Sequence, residues 1–327
     1  MHTPQSSAVE PPAGKRRPEL KSLGRTSLQL SSIGFGSSPL GDVFRQLNPG
    51  EAQSAVQEAI EAGINFFDVS PYYGSGLAEE RLGEALRGQR DRVVLATKCG
   101  RYGLDSFDFS ATAITMGLEK SLRRLRTDAL DLLQAHDVEF GDIDQIVEET
   151  IPALRRLQQE GKARYIGITG YSLEALLAIA ARAEVDSLLT YCHSNLLVSD
   201  IDEELIPFAM QNGIGVINAS PLHMGLLTPQ GAPAWHPAPA PVREAAARIV
   251  ALCAARGIDP AALALRYCLE HSGVTSTLVG LSTPGQVRAA IAALELELDP
   301  ELLDEIRRAA GPAYGMVWPS GREALHA

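Results

Sequence analysis

Eight short apolar runs, separated by amphipathic segments, constrain the fold more than any other feature of the chain. They are Leu30–Gly36, Asn65–Asp68, Val93–Lys98, Leu130–His136, Tyr165–Thr169, Ser187–Cys192, Gly215–Ala219 and Ser276–Gly280. Runs this short and this apolar read as strands of a parallel sheet covered on both faces. The segments between them carry a helical period instead. Asn48-Pro49-Gly50-Glu51 supplies a cap, a proline at the first helical position and an acid in the first turn. Ala52, Val56, Ala59 and Ile60 then share one face, and Gly63 stops the helix. Ile114, Leu118, Leu122 and Leu125 form a second stripe, and Ile143, Ile146, Val147, Ile151, Leu154 and Leu157 a third. Ser199 with Asp202 opens a further helix that Gly213 ends. Strands alternating with helices in this way predict an α/β fold, a closed (β/α)8 TIM barrel rather than an open doubly wound sheet.

The remaining segments fit around that barrel. Leu20 to Leu30, interrupted by Gly24-Arg25-Thr26, predicts an N-terminal hairpin. Residues 222–241, rich in proline and glycine, predict a long loop over the C-terminal mouth. Residues 1–18 hold Pro4, Pro11, Pro12 and Pro18 among small and polar residues, and read as a flexible tail ahead of a single domain over 19–327.

Composition narrows the functional classes. A hydrophobic fraction of 45% with 21% charged residues is that of a globular chain with an ample core. A net charge of −11 argues against nucleic acid or an anionic membrane as partner, and Lys15-Arg16-Arg17 is too short to reverse it. Cys99, Cys192, Cys253 and Cys268 show neither CxxC spacing nor a disulfide framework, so no metal site is expected. With no N-terminal apolar stretch, the expectation is a reducing, cytoplasmic setting, and a monomer or weak homo-oligomer.

The parallel barrel brings its C-terminal strand ends to one mouth. Asp68, Lys98 and His136 each close a successive run, and Tyr73 lies in the loop after the first. A tyrosine of pKa roughly 10 is a poor base at neutral pH. A lysine ammonium about 4 Å away contributes about 4 kcal/mol towards the phenolate at an effective dielectric near 20. Burial alone neutralises such a lysine, and an adjacent aspartate keeps it charged. Tyr73 then exchanges a proton with a substrate oxygen that His136 orients, which suits removal of an alcohol proton as hydride leaves its carbon. Each residue alone has a plainer reading: Asp68 as a turn residue, Lys98 as a solvated rim lysine, His136 as a half-buried histidine, Tyr73 as packing. Their joint placement on three successive strand ends favours chemistry.

The stretch Asp68-Val69-Ser70-Pro71-Tyr72-Tyr73-Gly74, with Lys98 and His136 downstream, resembles the active-site signature of the aldo-keto reductases. Within that superfamily the chain resembles the L-galactose dehydrogenase branch. The similarity spans about residues 20–321 and includes Thr97–Tyr102, His136–Gly141, Tyr191–His193, Ala219–Leu222, Trp235–Pro237 and Trp318–Gly321. It implies a barrel that binds NAD(P) without a Rossmann domain, in keeping with the lack of a GxGxxG after any strand. It implies oxidation of L-galactose at C1 to L-galactono-1,4-lactone, with a broader aldose 1-dehydrogenase acting on L-fucose or D-arabinose, or a pyridoxal dehydrogenase, as alternatives. A non-catalytic NAD(P)-binding regulatory subunit, as related barrels form beside ion channels, is the alternative of another class, and a Schiff-base isomerase or aldolase using Lys98 is a third.

The resemblance also assigns residues. Thr169 falls at a nicotinamide-amide contact. Ser220, Leu222, Gly225 and Leu226 fall in a pyrophosphate cradle, and Gly280, Ser282 and Gln286 in the turn that holds the adenosine ribose. The last turn offers no Lys or Arg for a 2′-phosphate, so NAD is expected over NADP. Ala289 and Ala290 stand where family members contact adenine, Ala219 where an aromatic often stacks on nicotinamide, and Gly170 where many have Asn. Asp137, His193, Trp235, His236 and Trp318 are the candidates for holding a sugar, which needs polar groups beside flat apolar surfaces.

Overall fold

The structure, a computed structural model, describes residues 16–322. Most of the expected tail therefore lies outside the described residues. Strands β1 (Leu20–Ser22) and β2 (Gln29–Ser31) pair antiparallel, with Leu20 opposite Ser31. The hairpin is present, and its turn presses Gly24 against the barrel. Gly24 has φ +52°, and a Cβ there would lie 2.4 Å from the backbone nitrogen of Gly215, so only glycine fits.

Eight further strands close the barrel: β3 (Ile33–Gly36), β4 (Phe66–Asp68), β5 (Val94–Cys99), β6 (Leu130–Ala135), β7 (Ala163–Gly170), β8 (Ser187–Tyr191), β9 (Gly215–Ala219) and β10 (Ser276–Gly280). Neighbours in sequence are neighbours in space, all pairs are parallel, and β10 closes onto β3. The expected run Leu30–Gly36 is corrected to two strands, parted at Ser32. There the amide bonds back to Glu19 of the hairpin (2.7 Å) while the carbonyl accepts from Thr277 of β10 (2.8 Å), so the chain changes partner within one residue.

The helices follow their caps. In Pro49–Glu61 the Asn48 side chain accepts from the Gly50 amide at 2.9 Å and the Glu51 carboxylate from the Asn48 amide at 3.4 Å, the expected capping box. Ala52, Val56, Ala59 and Ile60 are buried as the stripe requires. The third stripe carries a fault that its spacing hides. Pro152 lies inside it, and lacking an N–H it cannot bond back four residues. The helix widens to a π turn over Ile146–Thr150 before continuing as Ile151–Gln159. The helix expected from Ser199 is also corrected: it runs Leu205–Asn212, although Gly213 ends it at φ +65°. The polar residues ahead of it are spent on one another, Ser199 donating to the Asp202 carboxylate at 3.0 Å and Asp200 bonding His193 at 2.8 Å.

Inside the barrel, Phe66, Ala96, Leu132, Leu189, Ile217 and Leu278 pack with Leu23, Leu28 and Leu30 of the hairpin, which form its floor. Strand side chains alternate, so the residues two positions on from Phe66, Ala96 and Leu132 point to the same axis. They are Asp68, Lys98 and Gln134, the first layer above the apolar core. Among the described residues no helix is long and apolar enough to cross a membrane.

Leu30 is fully buried in this floor, so Leu30→Ala is expected to lower the unfolding free energy by roughly 2–5 kcal/mol. Denaturant unfolding measures it, and a loss below about 1 kcal/mol contradicts a packed floor.

Candidate active site

The layer above the core is a closed set of charge-assisted contacts. The Lys98 ammonium donates to Asp68 Oδ1 and, at 3.0 Å, to the Val69 carbonyl. Gln134 Nε2 donates to Asp68 Oδ2 at 3.0 Å. All three residues are buried. Burial alone would pull the Lys98 ammonium down, but Asp68 beside it overrides that and holds its pKa above the ordinary lysine value. Each ammonium donor has a use: the aspartate, the carbonyl and the Tyr73 phenol, whose ring centroid lies 5.3 Å from Nζ.

Tyr73 is aimed by glycine. Gly74 takes φ +62°, and a Cβ on it would sit 2.3 Å from the Gly41 carbonyl oxygen. Gly41 in turn admits no side chain, its own Cβ position lying 2.6 Å from the Tyr73 carbonyl carbon. The two backbones touch, and the phenol is turned into the barrel. Burial pushes Tyr73 up to about 12, against the pull of Lys98 and with further upward pressure from Asp68 and Asp137. The phenol is therefore the resting form near neutrality, a proton donor to a carbonyl, and a base only when added positive charge and Lys98 favour the phenolate.

His136 follows β6 and meets the Tyr73 ring edge-on, centroids 5.9 Å apart. Ser70 Oγ lies 3.0 Å from its Nδ1, which leaves Nε2 on the side of Asp137, 3.5 Å from Oδ2. Burial, Lys98 and Arg101 depress its pKa well below the ordinary histidine range. A neutral imidazole between a phenol and an ammonium can orient a substrate oxygen without competing for the proton.

Asp137 comes next, in the left-handed region at φ 53°. It forms an ion pair with Arg101, whose guanidinium stacks 3.8 Å from the Tyr72 ring centroid. Burial raises Asp137 while Arg101 opposes the rise. Its Oδ2 is 3.5 Å from His136 Nε2, and its Oδ1 has no hydrogen-bond partner among the described residues.

The other sugar candidates scatter. Trp318 stacks on Tyr171 at 4.8 Å, and His193, with Nδ1 on Asp200, lies 4.4 Å from the same ring. His236 spends both ring nitrogens on its own loop, on the His223 carbonyl and the Ala238 amide, each at 3.0 Å. Trp235 is exposed, 5.9 Å from Phe44 across the mouth.

The residues expected at a cofactor have several of their polar groups committed within the chain. Thr169 Oγ1 accepts from the Asp137 amide at 3.3 Å. The loop of Ser220, Leu222, Gly225 and Leu226 is tightly coiled, with left-handed φ at Ser220, His223, Met224 and Gly225. The amides of His223, Gly225 and Leu226 bond to carbonyls within that loop. Gln286 caps the helix Pro284–Ala292 and accepts from the Ser282 amide (2.9 Å) and hydroxyl (3.0 Å), while Gly280 is open. Arg288 pairs with Glu58 at 3.3 Å on the helix surface. Among the described residues no cluster of His, Cys, Asp and Glu is suited to a metal ion. Ser70, Arg101 and Gln134 are the residues that sequence reasoning missed as parts of the site. Gln134 was findable from the period of two, since it lies on the face of Leu132.

Residues 32–310 match the model of the aldo/keto reductase family. The chain belongs to the aldo/keto reductase family. It is therefore an oxidoreductase that works with a nicotinamide cofactor. It is 46% identical to L-galactose dehydrogenase of Arabidopsis thaliana over 313 residues, 93% of this chain and 98% of the relative. It is 31% identical to D-threo-aldose 1-dehydrogenase of a Pseudomonas species, over 82% of this chain and 91% of that one. Among solved structures it resembles the holo form of an aldo-keto reductase from Bacillus halodurans, with a TM-score of 0.76 at 29% identity, over 92% of this chain and 98% of that one.

A buried histidine held neutral has a signed consequence. With a folded pKa below the unfolded value of about 6.5, the unfolded chain takes up a proton that the folded chain refuses, so His136 weakens folding as pH falls through that value. Nitrogen-detected NMR should find the His136 ring neutral near pH 5.5, roughly one unit below an ordinary histidine. An imidazolium signal with an ordinary pKa contradicts the burial and the two cations that face it.

Proposed function

We propose that this chain oxidises an aldose at C1, passing hydride to NAD, with L-galactose as substrate and L-galactono-1,4-lactone as product. The observation that carries the reading is the closed set of Asp68, Lys98, Tyr73 and His136 around one point of the mouth. Similarity to two sugar C1 dehydrogenases supports the substrate class. On this reading Tyr73 is the general base. Its phenol stays protonated in the free protein, and the positive nicotinamide ring would join Lys98 in lowering its pKa when the oxidised cofactor is bound. His136 Nε2 holds the same oxygen. Asp68 and Gln134 act through Lys98, keeping it charged and pointed. A single domain over 19–327 carries the whole site.

The cofactor residues fit a dinucleotide in part. Thr169, the Ser220–Leu226 loop and the Gly280–Gln286 turn lie at the C-terminal ends of β7, β9 and β10. When bound, the nicotinamide supplies the hydride acceptor, and these residues would hold it against the mouth. The nearest cation to the last turn in sequence, Arg288, is engaged with Glu58. That favours NAD, whose ribose needs no cation, over NADP, whose 2′-phosphate does. To the sugar we assign Asp137, with His193 and Trp318 around Tyr171 as further contacts; Trp235 is exposed, and His236 supports its own loop.

A broader aldose 1-dehydrogenase is the second reading, because two exposed apolar rings, Trp235 and Phe44, lie together in the loops after β9 and β3, where flat surfaces suit more than one sugar. NADH formation from NAD and L-galactose by the full chain tests the proposal. Turnover should fall by about 10²–10⁴-fold in Tyr73→Phe, and NADP should serve at least roughly tenfold less efficiently in kcat/KM. NAD binding without turnover of any aldose sinks the catalytic reading. Equal rates on L-fucose and L-galactose favour the broader one.

A further inference from the structure

Asp137 is a buried carboxylate with one oxygen occupied and one left over. Its Oδ2 meets Arg101 and lies 3.5 Å from His136 Nε2, whereas its Oδ1 is buried without a partner among the described residues. Buried polar atoms in native proteins are nearly always hydrogen-bonded, so such an oxygen calls for a donor that the chain does not itself supply. The backbone there is in the left-handed region, at φ 53°, which a non-glycine residue keeps where the surroundings hold it. Arg101 does that holding. Its guanidinium donates to Asp137, is backed by the Tyr72 ring at 3.8 Å, and reaches the Gly103 carbonyl at 3.4 Å.

The place of the carboxylate, with Oδ2 3.5 Å from His136 Nε2, selects the donor. On the proposed function, on which this inference rests, His136 Nε2 holds the oxygen on C1, so the Asp137 carboxylate lies beside that oxygen. Carbon C1 of a cyclic aldose has two ring neighbours, the ring oxygen and C2. An ionised carboxylate only accepts hydrogen bonds. The ring oxygen has no hydrogen to give, and the C2 hydroxyl has one. We propose that Asp137, held by Arg101, reads the hydroxyl on C2, so that the substrate class is aldoses with a free 2-hydroxyl, taken up through O1 on His136 and Tyr73 and O2 on Asp137. Asp137 touches the substrate, and Arg101 is a positioning residue that keeps the carboxylate charged and in register with His136. A substrate without that hydroxyl leaves the carboxylate oxygen unpaired in the closed site.

The test compares L-galactose with 2-deoxy-L-galactose under NAD, first on the unmodified chain. A hydrogen bond to a buried charged group predicts that the deoxy sugar loses on the order of 10- to 100-fold in kcat/KM. In Asp137→Ala the ratio between the two sugars should fall towards unity. In Arg101→Met it should fall part of the way, with KM for L-galactose rising more than kcat drops, and Arg101→Lys should restore part of it. Equal efficiency on both sugars in the unmodified chain overturns the inference and leaves the proposed function standing. Discrimination that survives in a folded Asp137→Ala, checked by circular dichroism, also overturns it, because the hydroxyl is then read elsewhere. If the chain binds NAD and oxidises neither sugar, the proposed function fails and the inference falls with it. Should Asp137→Ala not fold, the two-sugar comparison on the unmodified chain and the Arg101 pair decide the matter.

Discussion

A charged lysine inside an apolar barrel is the constraint on which the rest of this structure depends. Lys98 stands one layer above Ala96, with almost no contact with water. An unpaired ammonium there would shed its proton. Asp68 and the Val69 carbonyl prevent that, and Asp68 in turn needs Gln134 for its second oxygen. Three adjacent strands thus each contribute one polar side chain, and the register of those strands is tied to charge pairing as well as to the fit of Phe66, Ala96 and Leu132 below. Replacing one partner leaves the other buried and unpaired, so the layer stands or falls together.

The electrostatics above that layer sort the groups by role. Lys98 is held charged, His136 neutral and Tyr73 protonated, each by a different balance of burial and neighbours. A phenol raised to about 12 in the free protein is a poor base. On the proposed function it becomes a useful one only when positive charge arrives, which the oxidised nicotinamide would bring. On that reading the cofactor would complete the site and tie proton transfer to hydride transfer.

Much of this was legible in the chain. The eight strands, the capping box at Asn48 and the three strand-end residues with Tyr73 in the loop beside them follow from period, cap chemistry and the convergence of a parallel barrel. The break at Ser32 and the π turn before Pro152 were not, because each depends on a hydrogen bond gained or lost at one residue within an otherwise regular pattern. Arg101 and Ser70 were missed for another reason. Both act on neighbours distant in sequence, Asp137 and His136, and nothing in their local spacing marks them. His236 shows the converse: its residue type suited a sugar site, yet its two nitrogens are consumed by the loop that carries it.

The hairpin ahead of the barrel has a kinetic meaning as well as a packing one. Leu23, Leu28 and Leu30 pack against the inward side chains of the barrel one layer below Asp68, Lys98 and Gln134, so ligands of the proposed reaction would come to Lys98 and Tyr73 from the opposite end. A two-ligand reaction approached from one end turns the doorway into a queue. Whichever molecule lies deeper enters before the other covers it and leaves after the other has gone. On the proposed function, three leucines at the far end of the molecule from the chemistry would thereby set the order of arrival and departure.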